Sequence, residues 1–250
     1  MRFLILKIDM HVHTWYSDSE ASVIEVLREA ERKGLDGLAI TDHWTIKGAI
    51  EAMKKRGKLI IIPGQEVETS HGEILALGIR NKIEDKLPIK EAIEAIHAQG
   101  GLAVVPHPTI PLFSVLNEEE MKTLPLDGIE VFSAITPIPG YFLRKNVELA
   151  RKLRLSMVAG SDSHYAETVG DAYTIIYCRS RKRDEVLRAV KLGQTSIGGK
   201  PSDLIFKWKT AKDVILHIAY DLLVDRKFSE IKRRKPLRFF FRKEHSFLSS

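Results

Sequence analysis

The stretch that decides the fold is Asp9-Met10-His11-Val12-His13-Thr14, which directly follows the apolar run Leu4–Ile8. That run is typical of a β strand. Side chains alternate along an extended segment, so the two imidazoles lie on one face. Two imidazoles on one face can bind the same metal ion. The sequence therefore predicts a metal site at the carboxyl end of its first strand.

Further strand-like and helix-like segments alternate along the chain. The predicted strands are Leu4–Ile8, Gly37–Ile40, Leu59–Ile62, Ile74–Leu77, Leu102–Val105, Gly128–Phe132, Met157–Ala159 and Ala172–Tyr177. The predicted helices are Val23–Lys33, with Ser22 as N-cap, Ile46–Arg56, Ile89–Gln99, Tyr141–Leu153 and Arg183–Leu192. Such alternation predicts a parallel sheet with crossover helices, in a barrel or an open doubly wound sheet. No glycine-rich phosphate loop follows a strand, so nucleotide binding of the Rossmann or P-loop kind is unsupported.

Metal-ligating residue types recur near the ends of these strands. They are His11, His13, Asp18, His43 in Thr41-Asp42-His43, Glu66 in Gly64-Gln65-Glu66, His71 before the fourth strand, His107 in Pro106-His107-Pro108, and Asp162 and His164 in Gly160-Ser-Asp-Ser-His164. In a barrel the strand ends converge on one face, where such folds keep their chemistry. Six imidazoles and three carboxylates suit zinc, manganese or iron. Nine groups exceed what one tetrahedral ion accepts, so we expect two or three divalent ions bridged by a carboxylate. His97, His217 and His245 are interpreted as structural.

As a set, these motifs resemble the PHP family, named for polymerase and histidinol phosphatase, over about residues 7–200. The resemblance implies a distorted (β/α)7 barrel, a trinuclear metal site and hydrolysis of phosphate esters. By position, the first ion would be held by His11, His13, Glu66 and Asp162. Glu66 would bridge to a second ion held by His71 and His107, and Asp18, His43 and His164 would hold the third. Asp18, His43, Glu66, Asp162 and His164 are the expected catalytic residues.

The expected reaction is attack on phosphorus by a hydroxide held between the first two ions. Asp9, Asp42 and Glu130 are candidates to accept the other N–H of a ligand imidazole. Lys47 or Arg144 could touch the phosphate, although both are more typical of solvated surface. The expected substrate is a phosphorylated small molecule, such as a nucleotide or histidinol phosphate, and the alternative is exonuclease action on short RNA or DNA. Trp44 stands where many family members have an acidic residue, and no long insertion separates the barrel motifs.

Two other classes of protein remain open. An amidohydrolase also begins with H-x-H on the first strand of a barrel, but it would leave Thr41-Asp42-His43 and His164 unexplained. A non-catalytic RNA-binding subunit with a PHP-like barrel would suit a basic tail, but such a subunit would not need nine ligand groups.

Charge is unevenly distributed along the 250 residues. Residues 226–250 contain nine Lys or Arg against Glu230 and Glu244, so the formal charge of this tail is +7. The formal net charge of the chain is +6, so residues 1–225 together carry −1. The tail also contains Phe239-Phe240-Phe241. It could bind single-stranded nucleic acid or an anionic membrane surface, or be a partly disordered or oligomer-packed terminus.

Three regions are expected: the barrel over 1–200, a helical appendage packed on it over 201–228, and a basic, aromatic tail over 229–250. An amphipathic helix is predicted over 210–225. The single cysteine, Cys178, excludes an internal disulfide and a cysteine-rich zinc cluster. No apolar run approaches the about 20 residues of a transmembrane helix, and the apolar start is too short for a signal peptide. We expect a cytoplasmic protein of unknown oligomeric state.

Overall fold

The computed structural model describes residues 3–110 and 116–212 of the chain. In these residues nine strands form: β1 Leu4–Val12, β2 Gly37–Ile40, β3 Ile60–Thr69, β4 Gly72–Leu77, β5 Leu102–Val105, β6 Gly128–Ser133, β7 Ser156–Gly160, β8 Ala172–Cys178 and β9 Thr195–Gly199. Six α helices cover them: α1 Val23–Arg32, α2 Lys47–Lys55, α3 Ile89–Ala98, α4 Glu118–Thr123, α5 Pro139–Leu153 and α6 Arg183–Lys191. A 3-10 turn spans Ala166–Thr168, and residues 204–212 are helical.

The nine strands form one mixed sheet with the order β7-β6-β5-β4-β3-β2-β1-β8-β9. β1, β2 and β3 run parallel, as do β5, β6 and β7. The predicted all-parallel sheet is wrong at β4 and at β8 and β9, which pair antiparallel to their neighbours. The physical reason at β4 is the connection from β3, where only Ser70 and His71 separate the strands. Two residues can close a hairpin but cannot hold a crossover helix.

The sheet curls into a nearly closed barrel because β7 returns to β1. The backbone N–H of Asp162 donates to the carbonyl of His11 at 2.8 Å, and that of His13 donates to Ser163 at 3.1 Å. The Asp9 carboxylate reinforces this seam by accepting from the N–H groups of Ser161 and Gly170, both at 2.8 Å. The seam therefore runs through the segments that carry the predicted metal ligands.

A β bulge in β1 decides which side chains face the barrel interior. The pairing of β1 with β2 shifts register between Asp9 and Val12. Below the bulge, Leu6, Ile8 and Met10 belong to the core inside the barrel. Val12 is also even-numbered and would lie on the same face of a regular strand, yet it packs in the outer layer with α1. The bulge thus reverses the alternation, and it lets His11 and His13 face inward at the end of a strand whose even-numbered residues fill the core.

The α/β barrel predicted from the sequence is confirmed, and so is the N-cap of α1. Ser22 and Glu25 form a reciprocal capping box there. Sequence patterns did not predict β9 and α4. No helix among residues 3–110 and 116–212 is long and apolar enough to cross a membrane. The basic tail and residues 213–225 of the predicted amphipathic helix lie outside the described residues, and the domain boundaries stay predictions.

Candidate metal site

The ligand-bearing segments are joined to one another through their backbones. The N–H of Thr41 donates to Val12 at 2.8 Å, and the N–H of Glu66 donates to Thr41 at 2.9 Å. Together with the bonds from Asp162 and His13 across the seam, these contacts link the ends of β1, β2, β3 and β7. The side chains that follow these strands are thereby fixed relative to one another.

Four of these side chains bring their donor atoms together at the centre of the site. Nε2 of His11 lies 3.0 Å from Nε2 of His13 and 3.0 Å from Oε2 of Glu66. Nε2 of His13 is 3.2 Å from the same Glu66 oxygen. Oδ1 of Asp162 lies 3.5 Å from His11 Nε2 and 3.4 Å from His13 Nε2. A tetrahedral ion with bonds of about 2.0–2.2 Å would hold its N and O donors about 3.3–3.6 Å apart. The donor atoms of His11, His13 and Glu66 are close enough to share one divalent ion, and Asp162 lies beside both imidazoles.

Neighbouring groups set the orientation of the central imidazoles. Nδ1 of His11 lies 3.2 Å from Oε1 of the fully buried Glu130, to which it can donate, leaving the Nε2 lone pair directed at the centre. The other oxygen of Glu130 accepts from the N–H of His107 at 3.0 Å. Among the three carboxylates expected to accept from a ligand imidazole, Glu130 is the one that contacts a ligand ring. Asp9 and Asp42 instead accept hydrogen bonds from backbone N–H groups and hydroxyl groups.

A second group lies on the other side of Glu66 and includes a residue that sequence analysis missed. Glu66, Glu73 and His107 each offer one donor atom within 4.8 Å of the others. Oε1 of Glu66 is 3.5 Å from Nε2 of His107. Burial and the nearby charge of Glu66 raise the pKa of Glu73 to about 7. Glu73 stands at the start of β4 outside any motif, so only the pairing of β3 with β4 could have pointed to it.

A third group surrounds Asp18 and is the most open to solvent. Nε2 of His164 lies 2.9 Å from Oδ2 of Asp18, and Nδ1 of His13 lies 3.5 Å from Oδ1. Nε2 of His43 is 3.8 Å from Oδ2 of Asp18. The side chain of Asp18 is 30% exposed and those of His43 and His164 are 15% exposed, whereas those of His11 and His13 are fully buried. The site therefore opens on the side of Asp18.

Asp42 holds the loop that carries Asp18. Its carboxylate accepts from the Thr14 N–H at 2.6 Å and from the Ser17 hydroxyl at 3.0 Å. Gly48 approaches Asp42 so closely that a Cβ there would lie 2.0 Å from Oδ2. This contact leaves no room for a side chain at Gly48, and it fixes Asp42 beside the β1–α1 loop.

His71 is the predicted ligand that the structure does not bring to the cluster. Its Nε2 lies 3.1 Å from Oε1 of Glu120 on α4, and its side chain is 44% exposed. It joins none of the clusters of potential ligands found in residues 3–110 and 116–212. The other eight predicted ligands all belong to such clusters. The role of His71 as a ligand stays a prediction.

The electrostatics of the cluster show imidazoles and carboxylates compensating each other. Burial opposes charge on His11, but Glu66 and Asp162 outweigh it and raise the His11 pKa well above its usual value. The pKa of His107 rises to about 9 because Glu66 and Asp162 likewise overcome burial. Conversely, burial is outweighed at Glu66, where His11 and His43 hold the pKa well below its usual range. The buried carboxylates are thus stabilised by positive charge on the imidazoles, and bound metal ions would supply that charge in place of protons.

Three residues at the site have strained backbones. Trp44, His107 and Asp162 have φ values of 59°, 27° and 54°, in the left-handed region that non-glycine residues rarely adopt. Each lies at or next to a cluster residue. Strain of this kind persists only where surrounding structure enforces it, and it concentrates at functional sites.

The remaining candidates lie elsewhere. Lys47 and Arg144 are exposed, and Cys178 is buried in the core inside the barrel. Nε2 of His97 lies 2.7 Å from Asp127, in keeping with a structural role. His217 and His245 lie outside the described residues.

Comparisons with known proteins bear on the family and the fold. A family model described as PHP-associated matches residues 140–195. The uncharacterized protein MJ1587 of Methanocaldococcus jannaschii is 39% identical over 142 residues, which are 52% of this chain and 82% of that protein.

Two solved structures share the fold. A two-domain protein from Bacteroides vulgatus, containing a predicted PHP-like metal-dependent phosphoesterase, aligns with a TM-score of 0.68 at 19% identity, over 79% of this chain and 66% of that one. The lesion-specific endonuclease PfuEndoQ from Pyrococcus furiosus aligns with a TM-score of 0.58 at 15% identity, over 78% of this chain and 58% of that one.

Proposed function

The chain belongs to the PHP family, and from that premise we propose that it is a phosphomonoesterase that hydrolyses a nucleotide or a similar small phosphate ester with two or three bound divalent ions. The observation that carries the proposal is the buried cluster of donor atoms from His11, His13 and Glu66, with Asp162 3.5 Å from His11 and 3.4 Å from His13. Groups of potential ligands continue on both sides of this set.

Glu66 is suited to join two ions because its oxygens face different partners. Oε2 lies toward His11 and His13, whereas Oε1 lies toward His107. Glu66 Oε1 is buried without a hydrogen-bond partner among the described residues, as expected of an atom that awaits a cation. His11, His13, Glu66 and Asp162 would hold the first ion, and Glu66 and His107, with Glu73, the second.

Asp18, His43 and His164 would complete a third position at the open side of the site. Nδ1 of His164 lies 3.0 Å from the carbonyl oxygen of Asp162, to which it can donate, so that Nε2 stays directed at Asp18. Since this side is the exposed one, we expect the phosphate to enter here. Bound divalent ions would neutralise the phosphate charge and lower the pKa of a bound water to a value suited to attack.

The donor set also limits which ions to test. Imidazoles mixed with carboxylates suit zinc, manganese and iron better than calcium or magnesium. Because His11 and His13 are buried, an ion that binds to them must lose most of its hydration water. We therefore expect a chelated preparation to regain activity with manganese, zinc or iron.

The test is phosphate release from a substrate panel after chelation and readdition of each metal. The panel contains nucleoside monophosphates, a nucleoside bisphosphate, histidinol phosphate and an aryl phosphate. His13→Ala should abolish metal-restored turnover, whereas His97→Ala, a half-buried histidine paired with Asp127, should retain it. Turnover that survives chelation, or that His13→Ala leaves unchanged, would overturn the proposal.

A nuclease is the second candidate function. It is favoured by the fold shared with an endonuclease and by the basic run Lys232-Arg233-Arg234-Lys235 in the tail. Short single-stranded RNA and DNA belong in the same panel, with the products sized. Metal-dependent shortening that weakens when residues 232–235 become alanine, with monophosphates left intact, would favour this function over the first.

A further inference from the structure

The segment after the barrel emerges at the metal-bearing end. β8 runs antiparallel to β1, and β9 runs antiparallel to β8. β9 therefore runs in the direction of β1, and the chain leaves it on the side where His11 and His13 lie. Residues 200–212 thus begin beside the candidate site although they follow the last strand of the barrel.

This segment is fastened to the rim of the site. The N–H of Ser202 donates to Ala134 at 3.0 Å, and Ala134 itself donates to Gly160 at 3.1 Å. The rings of Phe206 and Tyr165 lie 5.4 Å apart, and Tyr165 directly follows the candidate ligand His164. The helix at residues 204–212 therefore forms a wall next to the ends of β6 and β7.

Lys207 on this wall is half-buried. Its Nζ donates to the carbonyl oxygen of Thr136 at 2.7 Å, and it forms no ion pair with the residues that the structure describes. Lys33, whose side chain is 19% exposed, contacts by contrast both Glu29 and Asp171. Burial lowers the pKa of Lys207. An ammonium held partly out of water without a carboxylate is unfavourable unless an anion completes the site.

Thr136, which accepts from this ammonium, lies just after the end of β6 on the rim of the candidate site. Thr136 donates its N–H to Ser133, the last residue of β6, and Ser133 pairs with Gly160, two residues before Asp162. A phosphate monoester carries about two negative charges at neutral pH, and charge-assisted hydrogen bonds to its oxygens are the strong ones.

We propose that Lys207 binds a non-bridging oxygen of the substrate phosphate, so that this one side chain of the helix at residues 204–212 belongs to the active site. This inference rests on the proposed phosphoesterase function. It assigns the segment after the barrel a role in substrate binding, and it predicts that the ammonium turns from Thr136 to the phosphate when substrate enters.

The experiment measures binding of inorganic phosphate to the manganese-loaded full chain by calorimetry, beside KM and kcat for a monoester. Lys207→Met should weaken phosphate binding and raise KM by about 10- to 100-fold, the effect of losing one hydrogen bond to a charged group. Lys207→Arg should restore most of the affinity. The matched control is Lys212→Met on the same helix, where Nζ lies 5.8 Å from the centre of the Trp208 ring, and it should behave as wild type.

Equal phosphate affinity in wild type and Lys207→Met, or no phosphate binding by wild type, would overturn the inference. So would an equal loss in Lys212→Met. Phosphate binding that depends on Lys207 in a protein that hydrolyses no ester would instead overturn the proposed function alone. Metal content and the melting temperature of each variant identify a loss caused by misfolding, in which case Lys207→Arg decides the outcome.

Discussion

Replacing Gly160 with alanine should disable the metal site, because a methyl group has no room where β7 meets β1. A Cβ at this position would lie 2.4 Å from the Cβ of His11, 2.6 Å from its backbone nitrogen and 3.0 Å from Oε1 of Glu130. Carbon atoms rest about 3.5–4.0 Å apart, so the strands must separate by about 1 Å. The displaced atoms belong to a central ligand and to the carboxylate that orients it.

Two magnitudes follow from that separation. Overpacking of this kind costs about 1–3 kcal/mol of unfolding free energy. A displacement of about 1 Å at reacting groups costs about 100-fold in rate, so function should suffer more than stability. Urea unfolding measures the first quantity, and metal affinity and metal-restored turnover measure the second.

The matched control is Gly140→Ala in the first turn of α5, where a Cβ would meet no atom within 4 Å. This variant should keep wild-type metal affinity and turnover, and its stability should be equal or up to about 1 kcal/mol higher because alanine favours the helix. If Gly160→Ala binds metal and turns over like Gly140→Ala, the contact between β7 and His11 does not constrain the site as argued.

Three further outcomes are expected. Glu130→Gln should lower metal affinity by about 10- to 100-fold, because the carboxylate that orients His11 is lost. A competition titration with a chromophoric chelator measures this affinity, and an unchanged value would contradict the prediction. Asp9→Asn should lower the unfolding free energy by about 1–3 kcal/mol, since its NH2 group would face either the N–H of Ser161 or the N–H of Gly170, each of which is itself a donor. Urea unfolding measures this change, and an unchanged midpoint would contradict it. The unfolding free energy of the chelated protein should fall as pH rises from 6.5 to about 9. The reason is that the pKa of His107 is raised to about 9, so the stability gained from its protonation is lost as pH rises through that value. An unfolding free energy that stays constant over this pH range would contradict the charge balance described.

The candidate site was predictable from sequence where the signal was local. His11 and His13 follow the first predicted strand two residues apart, and Asp162 and His164 repeat that spacing at a later strand end. Strand ends converge in a barrel, so eight of the nine predicted ligands lie in the clusters that the structure forms.

Non-local features were not predictable in this way. Glu73 joins Glu66 and His107 only because a two-residue turn pairs β3 with β4, and no motif marks that register. The same hairpin places His71 beside Glu120, on a helix that the sequence did not indicate. The bulge in β1 is also invisible in the sequence, although Met10 and Val12 would otherwise share a face. Pairing between distant segments decides each of these features.

The seam between β1 and β7 has a consequence for synthesis on the ribosome. Asp9 and Ser161, which it joins, are 152 residues apart, so β1 can pair with β2 early but cannot form the seam until β7 has been synthesised. Contacts of such long sequence separation form late and slowly. A nascent chain that ends before Ser156 would have its H-x-H pair but neither Asp162 nor β7, the strand that closes the barrel. Metal capture should therefore follow barrel closure rather than provide a nucleus around which the barrel folds.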